Sequence, residues 1–377
     1  MILFQENDIK IERLEIREIN LPLVHFFETS FGRIERRRIL LTKVFCDGAV
    51  GYGECTTGEA PLFSHETIDT AWIIIKGILS PIAIGRNWTS PSEIGQWFKP
   101  IRGHQMARAS VENACWDLTA RVKNIPLYEL LGGTLKEIPC GVSIGIQDTP
   151  QQLLEKIRTE VEAGYRRIKI KIKPGWDFDI IKQIRQRYPD ILLSADANSA
   201  YTLADINLLK SFDKFNLLMI EQPLGYDDIV DHSRLQKQIS TAICLDEPIT
   251  SLDKARKAIE MKSCRIINIK LGRVSGFSEA VKIHNYCYEH NIPVWCGGML
   301  ECGIGRSHNI ALSTLPGFSL PGDVSASKRY YEEDIIEPPV TVNEDGFISV
   351  PQVPGTGYEP KEDYIERITV RKEVFPA

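Results

Sequence analysis

The chain has 377 residues, 43% of them hydrophobic and 25% charged, which excludes a disordered or fibrous protein and leaves room for two domains or one barrel with an appendage. A formal net charge of -5 offers no basic field to nucleic acid or to an anionic membrane, so neither partner is expected. The nine cysteines are odd in number, lack a CxxC pair and sit mostly in apolar runs, so they read as reduced thiols of a cytoplasmic protein; acidic residues near the start and the lack of a long apolar run argue against secretion or membrane insertion.

In chain order, residues 1–125 read as an α+β unit. Strand-like segments "IKIERLEIREINLPL" and "RRILLTKVFCDGAVGYGE" carry a turn signal at Asp47-Gly48, and a helical pattern follows from about Ser64 to Ala120. Residues 126–325 alternate short apolar runs with amphipathic stretches. The runs are "IPCGVSIGI", "YRRIKIKI", "DILLSADAN", "FNLLMIEQP", "TAICLDEP", "SCRIINIKLG", "IPVWCGG" and, less clearly, "GFSLPGD". Between the first two, Thr149 is placed as a helix N-cap with Pro150 at the first helical position. Residues 326–377 turn acidic and proline-rich, then end in strand-like pieces expected to pack back on the first unit.

Repeated βα units require a parallel sheet, doubly wound or closed into a barrel. Lys171, Asp196, Glu221, Asp246 and Lys270 end successive runs at intervals of 25, 25, 25 and 24 residues, one βα unit each. That regularity favours a barrel, whose active site gathers at the C-terminal strand ends. No GxGxxG or GxxxxGK[ST] loop supports the nucleotide-binding alternative.

In "RRIKIKIKPGWD", Lys169 and Lys171 share one strand face and the isoleucines the other. Taken alone, the pattern equally describes a surface strand with solvated lysines. In a barrel the outer face lies under helices, so the isoleucines go outward and the lysines into the lumen, where ammonium groups need carboxylates. Asp196, Glu221 and Asp246 stand at three consecutive strand ends. Singly, each could be a helix cap or an ion-pair partner; together they call for a hard divalent cation on oxygen ligands, best Mg²⁺. The seven histidines show no zinc-ligand spacing such as HExxH. Lys171 and Lys270 flank the acids in barrel order. A lysine beside a dication and a second ammonium has its pKa lowered toward that of a general base, which suits removal of a proton α to a carboxylate. Lys173, before Pro174, is expected to be solvated.

These residues, with "SFGRIERRRILLTKV", "GYGECTTGEAPLFSHET", "ARASVENACWDLTARVKNIPLYELLGG", "SADANSAYTL", "EQPL", "LDEPI", "INIKLGRVSGFSEA" and "VWCGGMLECGIGRSHN", resemble the enolase superfamily. Within its muconate-lactonising subgroup the match is to the o-succinylbenzoate synthase / N-succinylamino acid racemase family, over almost the whole chain. The superfamily is known for a Lys or His base acting with one or two Mg²⁺ ions.

The resemblance implies an α+β capping domain over a modified TIM barrel, (β/α)7β, with loops near residues 26–32 and 54–64 closing the pocket. It implies Lys171 as general base, Lys169 as its charged neighbour and Lys270 as the group on the opposite face. It also implies Asp196, Glu221 and Asp246 as Mg²⁺ ligands, with Mn²⁺ able to substitute. Asn198, Ser143, Arg273, Gly297, Gly298, Met299, Glu301 and Phe26 would face a small carboxylate substrate with a succinyl arm, in a homo-oligomer. The implied reaction is Mg²⁺-dependent syn dehydration of 2-succinyl-6-hydroxy-2,4-cyclohexadiene-1-carboxylate for menaquinone biosynthesis, or racemisation of N-succinylamino acids, or both. Arg273 resembles an arginine of racemase-capable members. Dipeptide epimerisation is disfavoured because "GGMLE" lacks a DxD pair, and a silent anion-binding barrel because five charged groups in a lumen are costly. Two departures stand out: Cys302 where the family has serine, and Lys123-Asn124 where glycine is common.

Overall fold

The computed structural model describes residues 9–376. Strands Arg13–Thr29 and Gly32–Cys46 form one long antiparallel hairpin, with an irregularity between Pro22 and Phe27. Asp47 and Gly48 turn the chain at φ 46° and 79°, the positive values an Asp-Gly hairpin turn needs, into strand Ala49–Cys55. The C-terminal strand Thr369–Pro376 pairs along Arg13–Thr29 and completes a four-stranded sheet.

Helix Gln105–Val122 lies so close to strand Ala49–Cys55 that Gly51 and Gly53 leave no room for a side chain. A Cβ on Gly51 would lie 2.1 Å from the Ala114 carbonyl oxygen, and one on Gly53 1.9 Å from that of Ser110. The helix ends at Asn124 with φ 54°, and Ile125 N–H donates to Ala120 O. Asparagine thus supplies the left-handed residue usually given to glycine in such a cap. The helical pattern expected from Ser64 to Ala120 is in fact broken into Ile68–Ile74, a wider turn Ile75–Leu79, Ser80–Ala83, Ser92–Phe98 and the long helix. Gly85 and Gly103, at φ 80° and 67°, sit at the breaks.

The alternating region forms seven parallel strands ordered as in the chain: Gly141–Ile144, Arg167–Lys171, Leu192–Asp196, Met219–Glu221, Ile243–Leu245, Ile266–Ile269 and Val294–Cys296. Residues 318–322 take the eighth place. Phe318 bridges Val294 and Gly322 bridges Cys140, both in parallel sense, so the ring closes and the doubly wound alternative is excluded. Pro321 has no N–H for a ladder, which leaves this segment extended but irregular. Outside, Ile168, Ile170 and Ile172 pack with Leu153, Ile157, Ile180 and Ile181 from the covering helices. Thr149 caps the first of these, Pro150–Glu162, by accepting from Gln152 N–H at 3.2 Å. Inside, Met219, Cys244, Ile266 and Trp295 form an apolar floor.

Two buried acids and an asparagine of the N-terminal unit cap barrel helices. Glu112 and Asn113 accept from Ser278 and Phe277 N–H at the start of Phe277–Glu289, and Glu54 accepts from Cys302 and Gly305 N–H at the start of Gly303–Leu312. After residue 326, strand Phe347–Ser349 pairs antiparallel with Glu137–Pro139 at the N-terminal end of the barrel before the chain reaches the first sheet. Among the described residues no helix is long and apolar enough to cross a membrane.

Candidate active site

Lys169 and Lys171 point into the lumen, both buried, while the alternating isoleucines pack outward. In the parallel register Lys171 stands beside Asp196, and Asp196 beside Glu221. Lys171 Nζ donates to Asp196 Oδ2 at 2.6 Å and Asn198 Oδ1 at 2.8 Å. One layer deeper, Lys169 Nζ reaches Glu221 Oε2 at 2.7 Å, Asp323 Oδ2 at 2.8 Å and Asp196 Oδ2 at 3.2 Å. From the sixth strand end, Lys270 Nζ donates to Asp246 Oδ2 at 2.6 Å, and Arg273 donates to the other oxygen of Asp246. Asn268, on the same face as Lys270, donates to Glu221 Oε1 at 2.7 Å. Strands two and six of an eight-membered ring lie opposite, so Lys171 and Lys270 approach the lumen from opposite sides with the acids between.

This arrangement splits the lysines electrostatically. Burial pushes the Lys171 pKa down; Asp196 resists the shift and the Lys169 charge adds to it. Lys169 is pushed the other way: burial opposes its charge, but Asp323, Glu221 and Asp196 outweigh burial and hold it protonated. Asp196, despite burial, is kept well below the usual carboxylate range by Lys171 and Lys169. Burial and then the negative charge of Asp196 raise Glu221, and the same two causes push Glu247 up to about 7.

Two family profiles match this chain: "Mandelate racemase / muconate lactonizing enzyme, N-terminal domain" over residues 13–132 and "Enolase C-terminal domain-like" over residues 152–364. The chain belongs to the enolase superfamily. Its relatives include an o-succinylbenzoate synthase of Geobacillus kaustophilus, 50% identical over 97% of this chain and 98% of that protein. An N-succinylamino acid racemase of Thermus thermophilus is 44% identical over 98% of this chain and all of that protein. A solved enolase-superfamily structure from Listeria innocua superposes with a TM-score of 0.94 at 41% identity, covering 98% of this chain and 99% of that one.

Enolase-superfamily membership implies a divalent metal, and the residues present fit one. The acids at the mouth offer only oxygen donors, the ligands a hard dication takes. Burial, and after it the negative charge of Asp196, raises Glu221 and Glu247, and Glu247 Oε2 is buried without a hydrogen-bond partner. Among the described residues no three acids form a ready metal cage. Asp196 and Glu221 are bridged by Lys169, and Asp246 is held by Lys270, so a cation among the three would exchange ammonium contacts for its own.

The remaining expected residues divide. Ser143 pairs in register with Lys169 and keeps a buried hydroxyl without a partner. Gly297 lies against Lys270: a Cβ there would be 2.7 Å from Lys270 Cε. Gly298 backs onto Asp323, and Met299 packs against the core of the N-terminal unit. Glu301 turns into its own loop, accepting from Met299 N–H at 2.8 Å and from Asn309 Nδ2 at 3.0 Å. Phe26 stacks under the Arg33 guanidinium at 3.8 Å, and the next residue, Phe27, faces the Lys171 ammonium at 6.0 Å. Cys302 is fully buried, and burial with the charge of Glu54 raises its thiol well above the ordinary value, which removes it as a nucleophile.

The sequence reading passed over Asp323, although "GFSLPGD" ends in it, and Arg167, although it continues the lysine face by one step of two. Arg167 Nη2 donates to Asp323 at 2.6 Å, and both Arg167 and Lys169 lie over the Trp295 ring. Phe63 was also missed; its ring is 4.5 Å from Lys270 Nζ.

Proposed function

We propose that this protein is an o-succinylbenzoate synthase that uses Mg²⁺ held by Asp196, Glu221 and Asp246. The observation that carries the reading is the pair of buried lysines on opposite sides of one set of strand-end acids, with burial lowering the pKa of Lys171. Relatives of that name at 45–50% identity over nearly the whole chain support it.

When bound, the cation would polarise the substrate carboxylate and stabilise the second negative charge of the enediolate. Lys171, as the free amine, takes the proton α to that carboxylate. Asp196 and Asn198 hold its nitrogen in place. Lys169 stays charged below it and favours negative charge in the layer above. Lys270 presents a cation to the other face of the planar intermediate. In a syn elimination the hydroxyl leaves from the face that lost the proton, so the Lys171 ammonium returns that proton to it and water departs. Ser143 offers an unpartnered hydroxyl to the substrate arm, and Arg273, held by Asp246 and the Ile249 and Asn268 carbonyls, fixes the Lys270 side of the site. We place the enzyme in the cytoplasm as a homo-oligomer.

The second lysine also favours N-succinylamino acid racemisation, in which Lys270 protonates the face opposite to the one Lys171 deprotonates. The named racemases at 42–44% identity support this second reading. Incubation with Mg²⁺ and each substrate, following dehydration by absorbance and α-proton exchange of N-succinyl-phenylalanine in D₂O, ranks the two. Failure of both refutes the assignment.

A further inference from the structure

The tip of the long hairpin rests on the barrel mouth with almost no apolar anchorage. From Pro22 to Arg36 no residue is buried. A segment so weakly packed opens locally at little cost unless polar contacts hold it. Those contacts are specific. Ile146 N–H donates to Glu28 O at 2.9 Å, and Gly145 lets the backbones approach, since a Cβ there would lie 2.7 Å from Glu28 N. Ser30 Oγ donates to the Asn198 carbonyl at 3.0 Å, and Asn198 in turn holds Lys171. Glu28 accepts from Lys173 Nζ at 3.1 Å and from Arg33 Nε at 2.8 Å, and Arg33 reaches Asp148. Lys173 is itself presented by a tight turn, pairing with Trp176 across Pro174 and Gly175.

We propose that the Glu28–Lys173 ion pair is a clasp that holds the hairpin tip on the barrel mouth and, through Ser30 and Asn198, keeps Lys171 in register with the substrate. Lys173 and Glu28 are then positioning residues, and the third lysine of the alternating run has a task distinct from the two below it. This rests on the reading of Lys171 as the base. The hydrogen bonds from Arg33 and Lys173 outweigh burial and keep the Glu28 carboxyl below its usual range, as a standing ion pair requires. The pair is partly exposed, so salt weakens it.

The nine native thiols are all buried, so a cysteine at the tip reports opening by itself. In a Ser30→Cys background, the labelling rate with Ellman's reagent is measured for the parent, Glu28→Gln, Lys173→Met and the double variant, at low and high salt. At low salt each single change should speed labelling about two- to five-fold, the size of a partly exposed ion pair, and the double variant should be no faster than the faster single. High salt should speed the parent by a larger factor than Lys173→Met, in which the Arg33–Asp148 pair is still present to be screened. In the Ser30 protein, Lys173→Met should lower kcat at least as much as it raises KM, because the base loses its register. Unchanged labelling in both singles, or a double-variant rate equal to the product of the single effects, overturns the clasp. Labelling needs no substrate, so this outcome is independent of whether the proposed reaction is correct.

Discussion

Glu54→Gln probes the buried carboxyl that joins the N-terminal unit to the barrel. Glu54 Oε1 accepts from Cys302 N–H at 3.1 Å, and Oε2 accepts from Gly305 N–H at 2.7 Å and lies 2.9 Å from Cys302 Sγ. Burial pushes its pKa up to about 8, and the Cys302 thiol and the two backbone donors only partly counter this. In the unfolded chain the group returns to its ordinary value of 4.5. Between the two values the folded protein carries a proton that the unfolded chain has lost. The stability this provides is therefore complete below the unfolded pKa and is lost as pH rises through the folded one, at ~1.4 kcal/mol per pH unit.

Glutamine cannot titrate, and its single amide oxygen can satisfy fully only one of the two backbone donors, a constant cost of about 1–3 kcal/mol. The stability gap between wild type and Glu54→Gln should therefore change by ~3 kcal/mol between about pH 5 and pH 7.5, with the wild type losing ground as pH rises. Urea unfolding of both proteins at a series of pH values measures it. A gap that does not vary with pH would show Glu54 ionised in the fold and refute the argument.

Other outcomes follow from the same geometry. Gly53→Ala should cost about 3 kcal/mol, because its methyl meets the Ser110 carbonyl; an unchanged melting temperature would contradict the close helix-to-sheet contact. Asp323→Asn removes the shared partner of two buried cations, Arg167 and Lys169, and should destabilise by about 3 kcal/mol in urea unfolding while lowering kcat; wild-type values in both would dismiss Asp323 as a member of the site. EDTA should abolish turnover and Mg²⁺ restore it, with Mn²⁺ a substitute; turnover that survives EDTA would contradict metal binding by the three acids.

The barrel was legible because its repeat is nearly constant and because period-two alternation decides which side of a strand meets the lumen. Lys169, Lys171, Asp196, Glu221, Asp246 and Lys270 follow from those two facts together. Asp323 escaped notice because its strand is interrupted by Pro321, so the run looks too irregular to end in a site residue. Phe26 was expected from the family resemblance alone, which carries no register; Phe26 stacks on Arg33 while Phe27 faces Lys171, beside the irregularity between Pro22 and Phe27. Glu301 has the composition of a pocket residue, but its carboxylate is taken up by Met299 and Asn309, a three-dimensional fact with no local pattern. The capping of barrel helices by Glu54 and Glu112 is equally silent, since each acid lies far along the chain from the amides it serves. Lys173 reads as a solvated lysine, and only the hairpin tip reveals its partner.

The central claim is that two lysines work on opposite faces of one enediolate. Stereospecific α-proton exchange of N-succinyl-phenylalanine enantiomers in D₂O with Mg²⁺, compared among wild type, Lys171→Ala and Lys270→Ala, tests it most directly. Each variant should lose exchange with one enantiomer by at least about 10²-fold while retaining it with the other, and Lys171→Ala should also lose dehydration. Full exchange of both enantiomers in both variants would contradict the two-lysine account.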